Sequence, residues 1–184
     1  GALIGVGRAG GAGEMTVIFA SLADPDPQIR AAAMQALDLL PVEAVKSAAT
    51  EKMKSAAPEL KVVLIQLLAG RGEKSVIPLL VASASDADEA VRIAAYDALA
   101  TLGDASAVAP LIAALGKAKG KELDAVRNAA ARIPGKPATD ALVKAADGAD
   151  AAHRVEIIRT LAARKDDAAV PALLTAAEDK DEAI

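Results

Sequence analysis

The sequence contains no cysteine and no tryptophan, and only one histidine, one tyrosine and one phenylalanine. Each shortage closes off a class of chemistry. Without cysteine there is no disulfide, no thiol nucleophile and no Cys-ligated zinc site. The lack leaves the compartment open, because an exported protein can also do without it. The single histidine, His153, brings no convergent set of metal ligands with it, and Ser75, Ser106 and Thr139 have no nearby His or Cys with which to build a triad. Aromatic content of 1% is too low for a β-sandwich or barrel, whose strands draw on aromatic and β-branched residues. No apolar run approaches the roughly 18 residues of a membrane span, so no membrane insertion is expected. No charged-then-apolar leader pattern is present.

What fills the chain is alanine, the strongest helix former, within 184 residues that are 53% apolar and 25% charged. This composition points to an all-α fold. The net charge is −4, with Lys and Arg scattered along the chain. Nucleic-acid binders usually gather a basic face, so that partner class is disfavoured.

The chain repeats itself. Arg30, Lys61 and Arg92 lie 31 residues apart, and Arg127 and Arg154 continue the series. A second marker, proline among branched apolar residues, falls at Pro78, Pro110 and Pro171. The clearest copy runs from Asp86 to Leu115: a helix, the Gly103-Asp104 turn and a second helix. Val91, Ala95, Leu99 and Leu102 share one face of its first helix at helical spacing. First-type helices are expected at 26–39, 58–70, 88–102, 121–133 and 151–163. Second-type helices are expected at 12–22, 41–55, 74–84, 106–116, 137–146 and 167–177. Aspartates before the first-type helices, such as Asp26 and Asp88, fit N-caps that satisfy orphan N–H groups. Ser75, Ser106 and Thr139 recur near helix starts and are expected to cap as well. Both ends match the interior of a unit: Ala2-Leu3 matches Ala98-Leu99, and Asp181 to Ile184 matches Asp88 to Val91. One repeat domain over 1–184, cut within a repeat at each end, is therefore expected. Its terminal apolar faces would fray, or stack end to end on a second copy in concentrated solution.

Several stretches imitate chemistry. Gly5-Val-Gly7-Arg-Ala-Gly10 fits G-x-G-x-x-G, but that fingerprint needs a βαβ setting. Gly7 aligns with the turn glycine Gly103, so an inter-helix turn is expected. His153 aligns with the apolar positions Leu60 and Val91, which favours packing at a helix start. Asp86, Asp88 and Glu89 lack the glycine and terminal glutamate of an EF-hand loop. Lys117, Lys119 and Lys121 form a basic cluster that reads as a solvated loop, with anion contact as the alternative.

At Asp86, Val91-Arg92, Ala94-Ala95, Ala98-Leu99, Gly103-Asp104 and Val108 to Ile112 the sequence resembles HEAT repeats, in the short bacterial HEAT-like form also seen in phycobilin lyases. The resemblance implies a right-handed α-α superhelix, a HEAT-like α-solenoid of about four full helix pairs with half-repeats at both ends. Second-type helices would line its concave side. It also implies a ladder in which an Asp and an Arg six residues apart bridge adjacent repeats. Asp24/Arg30 and Asp86/Arg92 match this spacing, and Asp179 matches it with no Arg inside the chain. Ser55/Lys61, Lys121/Arg127 and Gly148/Arg154 depart from it, so a broken ladder is expected in those units. The wording of 132–137 and 158–164 resembles arrays inside large exported bacterial proteins. That implies a periplasmic setting, with the cytoplasm as the alternative.

The function this supports is a non-catalytic scaffold or spacer without a cofactor, binding a partner protein or a neighbouring domain of its own polypeptide. The phycobilin-lyase resemblance implies an alternative, an accessory part of a lyase-like or cofactor-binding enzyme. Nucleic-acid binding comes third. Deoxyhypusine hydroxylase, a HEAT-repeat enzyme built on His-Glu pairs, is disfavoured because no such pair occurs. The expected interaction surface is Lys46, Thr50, Lys54, Thr139, Lys144 and Thr175. It holds none of the Trp, Tyr or Arg that dominates binding hot spots. From the charge distribution, no retention of duplex DNA is expected at a physiological ionic strength of about 0.15 M. An electrophoretic mobility shift at that salt would contradict this reading.

Overall fold

The computed structural model describes residues 12–179. Residues 1–11 and 180–184, and with them Gly5 to Gly10, Ala2-Leu3 and the segment matched to Asp88, lie outside this range. The fold is all-α, and every regular element among the described residues is helical. The helices are α1 (Ala12–Ser21), α2 (Pro27–Asp38), α3 (Val42–Met53), α4 (Pro58–Gly70), α5 (Ile77–Ser83), α6 (Glu89–Leu102), α7 (Val108–Leu115), α8 (Gly120–Arg132), α9 (Lys136–Gly148), α10 (Ala151–Arg164) and α11 (Val170–Ala177). Short 3-10 turns lead into α5, α7 and α11. Proline sits in the first turn of α5, α7 and α11, where its missing N–H costs little.

Caps set the helix starts. Asp26 accepts the N–H of Gln28, Asp88 those of Ala90 and Val91, and Asp150 that of His153. The 3-10 turns open in the same way, on Asp104 and Asp166. Ser106 is thus the capped residue and not the cap, and the Ser75 hydroxyl turns to Glu43.

The described residues form two compact units, divided between Val76 and Ile77. The first holds α1 to α4. Its buried face is built from Ile18 and Phe19 of α1, Ala33 and Leu37 of α2, Val45 and Ala49 of α3, and Leu64 and Leu68 of α4. The second opens on α5 and stacks the pairs α6/α7, α8/α9 and α10/α11. Its core runs through Leu80, Leu99, Leu111, Leu115, Ile133, Leu142, Ile157 and Leu161, with Ala95 and Ala129 where helices approach closely. Fully burying one such leucine contributes about 1.5–3 kcal/mol. With α2/α3, the two units hold four complete helix pairs among the described residues.

The repeat turn at Gly103 is fixed by packing. A Cβ on Gly103 would run into the carbonyl of Leu99 and Cδ1 of Ile133. The carbonyl belongs to helix backbone and cannot yield cheaply. Gly103→Ala is expected to lower stability by about 1–3 kcal/mol, read as a lower urea midpoint at unchanged slope. A wild-type midpoint would contradict this packing.

Candidate interaction surface

The site grows out of one basic residue per repeat, an arginine at every position of the series but Lys61. In α6, Arg92 uses its guanidinium twice. Nη1 donates to the carbonyls of Asp86 and Ala87, both at 2.9 Å, which holds the loop before its own helix. Nε and Nη2 fork onto the two carboxylate oxygens of Glu122 in α8, at 2.6 and 2.8 Å. Arg30 repeats the first task in the other unit, donating to the carbonyls of Asp24 and Pro25 at 2.7 and 2.8 Å. The six-residue spacing is therefore used through the backbone carbonyl at the first position.

The acid that bridges repeats comes from elsewhere. Arg127 of α8 donates to Glu156 of α10, and Arg154 of α10 pairs with Asp179 at 3.1 Å. The ladder is unbroken at Arg127 and Arg154, contrary to expectation. Lys121 and Gly148 stand where an aspartate was sought, but the bridging carboxylate sits on the following repeat.

A second set of arginines was missed in the sequence. Arg71, just after α4, donates to the carbonyls of Leu37 and Leu40 at the end of α2. Arg164, at the end of α10, donates to the carbonyls of Ala130, Ala131 and Ile133 at the end of α8. Each satisfies orphan helix carbonyls and places a cation at the negative end of the helix dipole. Each stands ten residues after a basic position of the 31-residue series, Lys61 and Arg154. That recurrence was the available signal.

Beside the Arg92–Glu122 pair lies a cleft of about 400 Å³. Its lining includes Tyr96 from α6, Pro110, Ala113 and Ala114 from α7, and Lys117 and Ala118 from the loop that follows. Tyr96 is buried, and its hydroxyl donates to the carbonyl of Ala84 at 3.1 Å, closing the end of α5. Burial pushes its pKa above the ordinary tyrosine value. A smaller cleft of about 240 Å³ is lined by Ala146, Asp147, Arg154, Ile158, Pro171 and Thr175. These are the positions of Ala84, Ser85, Arg92, Tyr96, Pro110 and Ala113 or Ala114, two repeats further along. The same groove thus recurs within the unit.

The expected surface residues are divided between the two units. Lys46 is half-buried and paired with Glu43, Thr50 is exposed and donates to the carbonyl of Lys46, and Lys54 is exposed and paired with Glu51. All three belong to the first unit. Lys144 and Thr175 are exposed in the second, and Thr175 lines the smaller cleft. Thr139 is a correction: it is fully buried. Its hydroxyl donates to Asp166 and accepts from Nε of Arg164, so it neither faces solvent nor caps α9. The position lies on the same face as Leu142 and Ala146, three and seven residues on, and both are buried.

His153 has a structural task. Its Nε2 lies 2.8 Å from the carbonyl of Ile112. A carbonyl only accepts, so Nε2 carries the hydrogen. Gly116 leaves room for the ring, because a Cβ there would stand 2.9 Å from Nδ1. Among the described residues no group of three or more His, Cys, Asp or Glu could hold a metal ion, and no helix is long and apolar enough to cross a membrane.

Residues 47–133 match the family model of HEAT repeats. That stretch is HEAT-like, and it holds the Arg92–Glu122 pair and the Gly103 turn. No curated protein matches it. Among solved structures, it is similar to an engineered protein at 19% identity and a TM-score of 0.46, over 96% of this chain and 86% of that one. It is also similar to human deoxyhypusine hydroxylase in complex with glycerol, at 18% identity and a TM-score of 0.38, over 94% and 92%.

The ladder makes stability depend on acid. The hydrogen bond from Arg92 holds the Glu122 pKa below 4.5. The hydrogen bond from Thr139 is the largest cause holding Asp166 below 3.8. A carboxylate depressed in the native state contributes fully above its unfolded value and loses that contribution as pH falls through the native one. Glu122→Gln is expected to lower stability at neutral pH by about 1–3 kcal/mol. It should also flatten the loss of stability below pH 4.5. Urea denaturation across that range checks both, and an acid limb as steep as wild type would contradict the assignment.

Proposed function

We propose that the chain is a non-catalytic scaffold that binds a partner protein or a neighbouring domain. The observation that carries this is the recurrent groove beside Arg92 and Arg154. Repeat arrays present such surfaces because each repeat contributes the same positions to a continuous face. HEAT repeats generally mediate protein interaction or scaffolding, which agrees with this use of the groove. The residues that imitate chemistry have structural partners instead: His153 a helix carbonyl, Asp88 and Asp150 helix N-termini, Asp166 a 3-10 turn and Thr139.

A photo-cross-linking residue placed singly at Thr50, Lys144 or Thr175 tests this. At least one position should give a discrete protein adduct in cells, or an intramolecular cross-link to a neighbouring domain. The absence of any discrete product at all three would contradict the scaffold reading.

A further inference from the structure

The larger cleft is bordered by charge that the molecule itself leaves unanswered. No hydrogen bond or ion pair among the described residues holds the ammonium groups of Lys117, Lys119 or Lys121, whereas Arg92, Arg127, Arg154 and Arg164 all have carboxylate or carbonyl partners. All three lysines are exposed, and Lys117 lines the cleft. They crowd into five residues of a chain whose net charge is −4.

Their place on the helix is also unfavourable by itself. Lys119 is the N-cap residue of α8, which has no side-chain cap, and Lys121 lies in its first turn. The N-terminus of a helix favours negative charge, and a cation there costs about 0.3–1 kcal/mol. The helices α2, α6 and α10 begin on aspartates that accept their free N–H groups. The one first-turn carboxylate, Glu122, is taken up by Arg92 rather than by the lysines, and a local rule broken in this way marks a place where function is expected to set the sequence. Next to it is a cleft of about 400 Å³, within the roughly 300–1,000 Å³ range of sites that enclose a ligand. Pro110, Ala113 and Ala114 supply its apolar lining, and the Glu122 carboxylate that also lines it is held by Arg92.

We propose that this cleft docks a short acidic segment of a partner protein, with one long apolar side chain inserted against Tyr96, Pro110 and Ala114 and flanking carboxylates on Lys117, Lys119 and the open N-terminus of α8. The proposal rests on the scaffold reading above and adds the chemistry of the partner. A nucleic acid would leave the apolar cleft unused and would meet an acidic chain beyond the three lysines.

The probe is a fluorescein-labelled peptide, Asp-Glu-Leu-Phe-Asp-Glu, titrated against the whole chain and followed by anisotropy. Two controls are Asp-Glu-Ser-Ser-Asp-Glu and Lys-Arg-Leu-Phe-Lys-Arg. Saturable binding with a Kd tighter than about 1 mM is expected. It should weaken about tenfold or more in Lys117→Glu/Lys119→Glu, in Ala114→Phe, and with either control peptide. Arg132→Glu, an exposed change at the other end of α8 and outside the cleft lining, should bind as wild type. The two lysines are exposed and unpaired, so that variant keeps the test sound if Ala114→Phe disturbs the fold. No saturable binding, equal binding of the basic peptide, or equal sensitivity to Arg132→Glu would overturn the proposal. If cross-linking at Thr50, Lys144 or Thr175 still yields a discrete adduct while the acidic peptide fails to bind, the scaffold reading survives and this site falls. If both fail, both fall.

Discussion

The second unit depends on the ion pair between an arginine of one repeat and a carboxylate of the next, which at Arg92 is forked onto both oxygens. Arg92 on Glu122, Arg127 on Glu156 and Arg154 on Asp179 form one series. A repeat of this size cannot bury its apolar face alone, so its stability lies largely in contacts with its neighbours. Hydrophobic burial supplies most of that energy but little direction. A planar guanidinium meeting two carboxylate oxygens adds geometry. The remaining N–H groups of Arg92 tie down the loop that precedes its own helix. One side chain thereby sets both where a helix begins and which residue of the next repeat lies opposite.

The grooves follow from this arrangement. The Arg92–Glu122 pair is partly buried and keeps its polar groups satisfied at the edge of the cleft. With small residues at Ala113, Ala114 and Ala118 beside it, the space between repeats stays open. The chain has almost no aromatics to fill such gaps. Tyr96 instead closes the end of α5 through the Ala84 carbonyl. A scarcity that looked merely compositional therefore shapes the surface on which a partner can sit.

Much of the fold was legible in the sequence. The 31-residue series and the proline markers placed every described helix to within about three residues, because repeats average out the ambiguity of any one segment. The Asp26 and Asp88 caps were legible because capping is local. The ladder partners were not. Glu122 and Glu156 lie 30 and 29 residues from their arginines, and local spacing says nothing about which carboxylate a neighbouring repeat will present. Thr139 was misplaced for a related reason. Its polarity suggested solvent, but its register with Leu142 and Ala146 puts it in the core, where Arg164 and Asp166 satisfy its hydroxyl. The lysines at 117, 119 and 121 were visible as a cluster, but their position at an uncapped helix start beside an apolar cleft needed the fold.

The most direct measurement of the central claim is a double-mutant cycle on Arg92 and Glu122, with Arg92→Gln, Glu122→Gln and the double variant compared by urea denaturation. If the forked pair couples the repeats, the single losses will not add, and the coupling will be about 1 kcal/mol or more. Losses that add to within about 0.3 kcal/mol would show that the pair is decoration on a unit held by its alanine and leucine faces alone, and would contradict the account.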